Sequence, residues 1–160
     1  MLSDSHSSLR FMRQCIDKIK PQHVIHLGDH YDDATAMAEL YPQIVFHQVP
    51  GNCDRYRCLE WQTDTLCYSI GGVKFYMTHG HRFAVKSGNH LLLQAAKENG
   101  VQAVLYGHTH IAQCYQLPDG MWVLNPGSCG SASGSAGIIE IDDERISACY
   151  VIKQADVDTM

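Results

Sequence analysis

Apolar residues at positions 9, 12, 16 and 19 recur at intervals of three and four. That spacing puts Leu9, Met12, Ile16 and Ile19 on one face of a helix over residues 8–20, and Pro21 follows where the helix must stop. A short apolar run at 23–27 ends in Gly28-Asp29, an alanine-rich, helix-favouring stretch covers 34–41, and a β-rich segment at 44–49 runs into Pro50-Gly51. The first third therefore alternates helix and strand. Segments 66–70 and 73–78 flank Gly71-Gly72, which predicts a tight hairpin, and 90–99 reads as a helix closed by Gly100. Residues 103–106 form a buried strand ending at Gly107. Beyond it come short strands at 112–117, 121–124, 137–141 and 146–152, separated by Pro118-Asp119-Gly120 and an acidic turn at 142–145, so the last third is expected to be antiparallel. Residues 127–137, rich in Ser and Gly between two strands, read as a loop. Alternating β and α followed by a β meander predicts an α/β fold: two packed sheets with helices outside, an αββα sandwich, with residues 1–160 as a single domain.

Composition narrows the class. Hydrophobic residues make up 45% and charged residues 18%, a profile of neither disorder nor a membrane protein, and no apolar run approaches the roughly 20 residues of a spanning helix. Twelve Lys and Arg against 17 Asp and Glu give a net charge of -5 with no basic stripe, which argues against a nucleic-acid polymer or an anionic membrane as partner. The opening Met1-Leu2-Ser3-Asp4 lacks the basic and apolar segments of a signal peptide, so a cytoplasmic location is expected. Seven cysteines (Cys15, Cys53, Cys58, Cys67, Cys114, Cys129 and Cys149), odd in number and without a C-x-x-C pair, read as reduced and mostly buried thiols. The anomaly is histidine: ten copies, with His79 and His81 two apart and His108 and His110 two apart.

Polar residues able to bind metal sit just after the predicted strands, where an α/β sheet gathers its ligands. Five clusters occur: Ser3-Asp4-Ser5-His6, Gly28-Asp29-His30, Gly51-Asn52-Cys53-Asp54, Thr78-His79-Gly80-His81 and Gly107-His108-Thr109-His110. Each alone is weak evidence, but their joint order resembles the calcineurin-like metallophosphoesterases. The G-N-C-D and G-H-T-H forms are most similar to the small bacterial and archaeal YfcE-type phosphodiesterases. The resemblance runs from Ser3 past Asn125 and implies a dinuclear site at one end of a two-sheet sandwich. It implies one metal held by Asp4, His6, Asp29 and His110 and a second by Asn52, His79 and His108, with Asp29 bridging both. The implied activity is metal-dependent hydrolysis of a small phosphate ester, most simply a phosphodiester, with Asn52, His79 and His81 as the candidate catalytic residues. Asn125-Pro126-Gly127-Ser128 matches a family loop beside the site and makes Asn125 a candidate substrate contact.

The donor types support the same chemistry on their own. Neutral imidazoles, an amide oxygen and carboxylates without thiolate suit borderline divalent ions, manganese first, with nickel, iron or zinc as alternatives. Two such ions bring four positive charges against the two carboxylates of Asp4 and Asp29, leaving a site that attracts phosphate oxygens. A water bridging two metals ~3.5–4 Å apart is acidified to hydroxide and attacks phosphorus in line, so no protein nucleophile is needed. Asp54, Asp32 and His30 are candidates to orient the ligands. Because the histidines must be neutral to bind, occupancy is expected to fall below about pH 6.5.

Three departures from the family pattern matter. Many relatives carry histidine after G-N to protonate the leaving group, whereas Cys53 stands here. A neutral thiol is a poor acid, which predicts a preference for good leaving groups such as aryl diesters, with His81 as a substitute contact. Cys53 itself reads either as a substrate contact or as a small residue packed beneath the loop. Second, only Met1-Leu2-Ser3 precede Asp4, so the first strand reads as truncated, by a late start codon or a shortened chain. Its loss is expected to expose backbone groups and loosen Asp4 and His6. Third, Ser131-Ala132-Ser133 stands where relatives often have proline and arginine, leaving Arg82 or Lys86 as candidate phosphate contacts. His23, His26, His47 and His90 read as structural or surface residues. The competing function is a non-catalytic interaction scaffold, as in the retromer subunit that shares this fold. Its mark is loss of ligand histidines, and this chain retains all of them. A homo-oligomer is left open.

Overall fold

A computed structural model describes residues 1–54 and 63–160. Cys58 lies outside the described residues. Helix α1 (Leu9–Ile19) buries Phe11, Met12, Cys15 and Ile16 and ends where Lys20 turns left-handed at φ 51° before Pro21. Strand β1 (His23–His26), helix α2 (Tyr31–Leu40) and strand β2 (Val45–Gln48) follow as a βαβ unit with the two strands parallel. Next come β3 (Thr65–Ile70) and β4 (Val73–Thr78), an antiparallel hairpin whose Gly71 and Gly72 adopt φ 55° and 80°, the paired left-handed conformation that a two-residue turn demands.

Helix α3 (His90–Glu98) then leads to β5 (Ala103–Leu105), β6 (Gln113–Gln116) and β7 (Trp122–Asn125). These complete a five-stranded sheet of order β3-β4-β5-β7-β6. The chain closes with the antiparallel pair β8 (Ser135–Asp142) and β9 (Arg145–Lys153) and a short helix, α4 (Gln154–Thr159). No membrane-spanning helix is present among the described residues.

Two expectations need correction. The last third is not purely antiparallel: β7 runs parallel to β5, because the β6–β7 hairpin turns at 118–120 and its apolar strand, not its polar one, takes the inner place. Val123 and Leu124 are fully buried in β7, whereas Gln113, Tyr115 and Gln116 of β6 are exposed, as an edge strand allows. Helix α4 was not anticipated; its single buried residue, Val157, leaves almost no amphipathic pattern to read.

Residues 1–4 run between β1 and β8. On one side Leu2 N–H donates to Ile25 O at 2.7 Å and Asp4 N–H to Gly28 O at 3.0 Å; on the other, Gly137 N–H donates to Met1 O at 2.9 Å and Cys129 N–H to Ser3 O at 2.9 Å. The anticipated loosening of Asp4 is not found, since its backbone is paired on both edges and its side chain has no exposed surface.

Alternation along the central strands feeds two separate cores. Ile25, Leu27, Phe75, Met77, Leu105 and Leu124 fill the space between the sheets, while Tyr76, Val104 and Val123 face α3 at Leu92 and Ala96. A third cluster packs α1, α2 and α4 onto the outer face of β1 and β8 through Met12, Ile16, Val24, Met37, Ala136 and Val157. The layers are α, β, β, α, as predicted, and all five histidine- or aspartate-bearing loops emerge at strand ends on one side.

Candidate metal centre

Asp4 follows the paired segment at residues 1–3 and is completely buried. Its Oδ2 accepts hydrogen bonds from Ser3 Oγ at 2.6 Å and the His108 amide at 3.1 Å. Its Oδ1 accepts none and faces Nε2 of His110 at 3.1 Å and Nε2 of His79 at 4.0 Å. His79 comes directly off β4. Its Nδ1 donates to Leu27 O at 2.6 Å, which fixes the ring so that the Nε2 lone pair points into the site. There it meets Asn52 Oδ1 at 3.1 Å and Asp29 Oδ1 at 3.5 Å. These are all electron-pair donors aimed at one another. A proton on His79 answers some of them; a cation answers all, so the donor set fits divalent metal.

Two triads of ligand atoms, Asp4–His6–His110 and Asp29–His79–His108, each lie within 4.8 Å of one another. Nε2 of His6 is 3.5 Å from Nε2 of His110. All seven candidate ligands are thus brought together, with Asn52 against His79. The backbone bears the cost of this gathering: Asp4, His6, Asp29, His108 and His110 all have positive φ, between 45° and 67°. A side chain in that region costs about 1–2 kcal/mol. Positive φ also occurs at Ser7, Lys20, His30, Ala84, Asp143 and Glu144, so five of the seven candidate ligands share it with ordinary turn residues.

The motif glycines have a steric reason. A Cβ on Gly51 would lie 2.2 Å from Asp29 Oδ1, and one on Gly107 would lie 2.0 Å from Ser3 Oγ. Only bare backbone lets these loops close on the aspartates.

Electrostatics follow from burial and proximity. Burial would raise the Asp29 pKa, but the hydrogen bond and charge of His79 and the Cys53 amide and thiol outweigh it and hold the carboxyl well below the usual range. Burial would lower the His79 pKa; Asp29 and then Asp4 overcome it and the net shift is upward. For His108, burial followed by the charges of His79 and Lys86 pushes the pKa down to about 4, so its lone pair is available at neutral pH.

The remaining candidates separate clearly. Cys53 is not packed beneath its loop: it is exposed, its Sγ donates to Asp29 Oδ2 at 3.3 Å, and its amide donates to Asp29 Oδ1 at 2.9 Å. Burial of the sulfur and the neighbouring Asp29 push this thiol up to about 11. His81 stands beside the site, its ring centre 5.5 Å from that of His79.

Asn125, expected to touch substrate, is buried. Its amide nitrogen donates to Gly107 O and Thr109 Oγ1, both at 3.0 Å, and its oxygen accepts from Gly127 N, so it braces the His108–His110 turn. Arg82, also expected to contact substrate, pairs with Asp64 at the surface instead. Among the described residues, Lys86 bears its charge on His108 and lines an open cleft of about 830 Å³ beside Thr109 together with Asn89, Tyr106, Ile111 and Tyr115.

Asp54 accepts from the His30 and Tyr31 amides at 2.9 Å and from Gly51 N at 2.7 Å, tying two ligand loops together. His30 Nδ1 lies 3.1 Å from Ser7 Oγ, and Asp32 is exposed. The sequence reading missed Asp33, whose Oδ2 accepts from Ser5 Oγ at 2.7 Å and Ser7 N at 2.8 Å and so holds the Asp4–His6 turn. It also missed Ser3 and Ser128, which fix Asp4. An acid in the first turn of a helix carries no signal that distinguishes such a brace from an ordinary dipole partner.

A family profile described as the calcineurin-like phosphoesterase superfamily domain matches residues 1–144. Phosphodiesterase MJ0936 of Methanocaldococcus jannaschii is 30% identical over 162 residues, covering 91% of this chain and 92% of that protein. Vacuolar protein sorting-associated protein 29 of Schizosaccharomyces pombe is 26% identical, with 81% of this chain and 82% of that protein covered. Among solved structures, that of a Streptococcus pneumoniae TIGR4 protein described as a predicted phosphoesterase superposes with a TM-score of 0.70 at 23% identity, over 96% of this chain and 95% of that one, a likeness of fold.

Proposed function

The chain belongs to the calcineurin-like phosphoesterase superfamily, and on that premise we propose that it is a metal-dependent phosphodiesterase acting on a small phosphate diester. Asp4, His6, Asp29, Asn52, His79, His108 and His110 would hold two divalent cations, with Asp29 shared between them. The observation that carries this reading is the bare, buried Oδ1 of Asp4, facing imidazole nitrogens and surrounded by further electron-pair donors. Divalent cations held by these residues would supply positive charge for phosphoryl oxygens and would acidify a bound water for hydrolysis. The protein's own part is to fix the donors: Leu27 O orients His79, Ser3 and the His108 amide orient Asp4, and Asp54 locks the Gly51 loop onto the Asp29 loop. Lys86 supplies positive charge beside His108, where an anionic diester approaches, and the cleft walled by Tyr106, Ile111 and Tyr115 suits the alcohol portion of the ester. His81 stands near enough to His79 to contact a substrate oxygen.

The test is an assay of metal-reconstituted protein against aryl and alkyl diesters and monoesters with Mn²⁺, Ni²⁺ and Zn²⁺ in turn. Aryl-diester hydrolysis that drops at least about 100-fold in His79→Ala and in Asn52→Ala, each still folded, is the expected result. Undiminished turnover in both variants overturns the assignment. A second reading, a non-catalytic interaction scaffold, draws on the likeness to the vacuolar sorting protein; bound metal without turnover of any ester would favour it. Retention of every ligand position supports the hydrolase.

A further inference from the structure

The donor set read from the sequence contains no sulfur, yet the fold brings a thiol to it. Sγ of Cys53, a nitrogen of His6 and a carboxylate oxygen of Asp29 lie within 4.8 Å of one another. We propose that Cys53 is a ligand of the cation held by Asp4, His6, Asp29 and His110, so that this half of the centre is a mixed nitrogen, oxygen and sulfur site. The inference rests on the reading of the cluster as a metal centre.

Three observations support it. The Cys53 backbone is anchored beside the candidate ligand, its amide donating to Asp29 Oδ1 at 2.9 Å on a 3-10 turn at Asn52–Asp54. Its Sγ already points at the other oxygen of that carboxylate, at 3.3 Å. The same space is faced by the buried Asp4 Oδ1, which lacks any hydrogen bond, and by the Nε2 atoms of His6 and His110, 3.5 Å apart. Among the described cysteines, Cys15 and Cys129 are buried in the core, Cys67 is exposed on β3, and Cys114 and Cys149 lie against each other between the sheets. Cys53 alone joins a candidate ligand group.

On binding, the S–H bond breaks, its proton goes to solvent water, and a metal–sulfur bond forms; no electron changes hands. The hydrogen bond from sulfur to Asp29 is replaced by a shared cation, and coordination deprotonates a thiol outright. A thiolate favours softer ions, so the site would prefer Zn²⁺ or Co²⁺ over Mn²⁺.

The experiment is anaerobic titration of metal-free wild type and Cys53→Ser with Co²⁺, followed by optical absorption, with a thermal melt to verify that the variant folds. Wild type is expected to develop visible ligand-field bands and a near-ultraviolet sulfur-to-cobalt charge-transfer band. Cys53→Ser should keep the former and lose the latter, with Zn²⁺ affinity down about tenfold or more. Ligand-field bands without a charge-transfer band, or a charge-transfer band that persists in Cys53→Ser, overturn the sulfur ligand while leaving the metal centre intact. Absence of both features in both proteins overturns the metal centre as well.

Discussion

Oδ1 of Asp4 lies 3.1 Å from Nε2 of His110, while Oδ2 of the same carboxylate is saturated by Ser3 Oγ and the His108 amide. One oxygen is anchored and the other is presented, at zero exposure, to a ring carried on the loop between β5 and β6. Burying an acceptor without a donor costs about 1–3 kcal/mol, a cost that makes sense where a ligand supplies what the protein omits.

Asp4→Asn tests that relationship. The amide keeps an oxygen for Ser3 and the His108 amide and gives the histidines a donor, so the metal-free variant should melt no lower than wild type. Saturating metal at about 100 times Kd adds about 2.7 kcal/mol to wild type, or roughly 5–10 °C in Tm for a domain of this size. The variant should gain less than half of that shift in differential scanning calorimetry; equal shifts contradict the assignment.

His26 gives a pH dependence of defined sign. It is wholly buried between Ser5 Oγ and the Gly28 amide, and burial pushes its pKa down to about 4 despite the counteracting charges of Asp33, Asp4 and Asp54. The unfolded chain takes up that proton near pH 6.5. Between about 6.5 and 4 the unfolded state therefore binds more protons, and stability falls as pH falls, by about 3 kcal/mol across the window. His79 in the metal-free protein works in the opposite sense: with its pKa raised, its contribution is present below 6.5 and lost as pH rises. Urea unfolding of metal-free wild type and His26→Gln from about pH 7 to about pH 4.5 separates the two. The variant should lose the His26 part of the slope, and identical slopes would exclude it.

Gly51 and Gly107 should behave unlike glycines that merely turn the chain. Alanine at Gly51 drives a methyl group against Asp29 Oδ1, and at Gly107 against Ser3 Oγ and Asp4 Oδ2. Each should cost about 1–3 kcal/mol and also weaken metal binding. Gly120→Ala meets nothing within 4 Å, so its φ of 90° should cost about 1 kcal/mol and leave metal affinity unchanged. Melting curves paired with metal titrations distinguish the two patterns.

What could be read in advance followed from local periodicity and local composition. The spacing of Leu9, Met12, Ile16 and Ile19 marked α1, and Gly71-Gly72 marked the hairpin, because each depends on a few adjacent residues. The seven candidate ligands were visible as short motifs at strand ends. Long-range pairing was less accessible: nothing in residues 1–4 says that so short a segment can hold backbone bonds on both of its edges, and nothing in Asn125 says that its amide is spent on Gly107, Thr109 and Gly127. Arg82 was a reasonable phosphate contact by position, but Asp64 claims it. The exposed thiol of Cys53 could not be inferred, because the direction of a side chain on a 3-10 turn is set by where Asp29 holds the backbone.

Asp33 should prove a positioning residue. Its carboxylate holds Ser5 Oγ and the Ser7 amide, flanking His6 on both sides. Asp33→Ala should lower metal affinity about 10–100-fold, the usual effect of removing a group that orients a ligand. Competition titration against a chelating dye gives the number, and an affinity within about twofold of wild type would make Asp33 merely a surface acid.

The most direct test of the metal centre is anomalous diffraction from crystals equilibrated with manganese or zinc and measured at that metal's absorption edge. Two peaks sharing the Asp29 carboxylate are expected, one bounded by Asp4, His6 and His110 and the other by Asn52, His79 and His108. No peak in this cluster, or a peak held only by residues elsewhere on the molecule, would contradict the account.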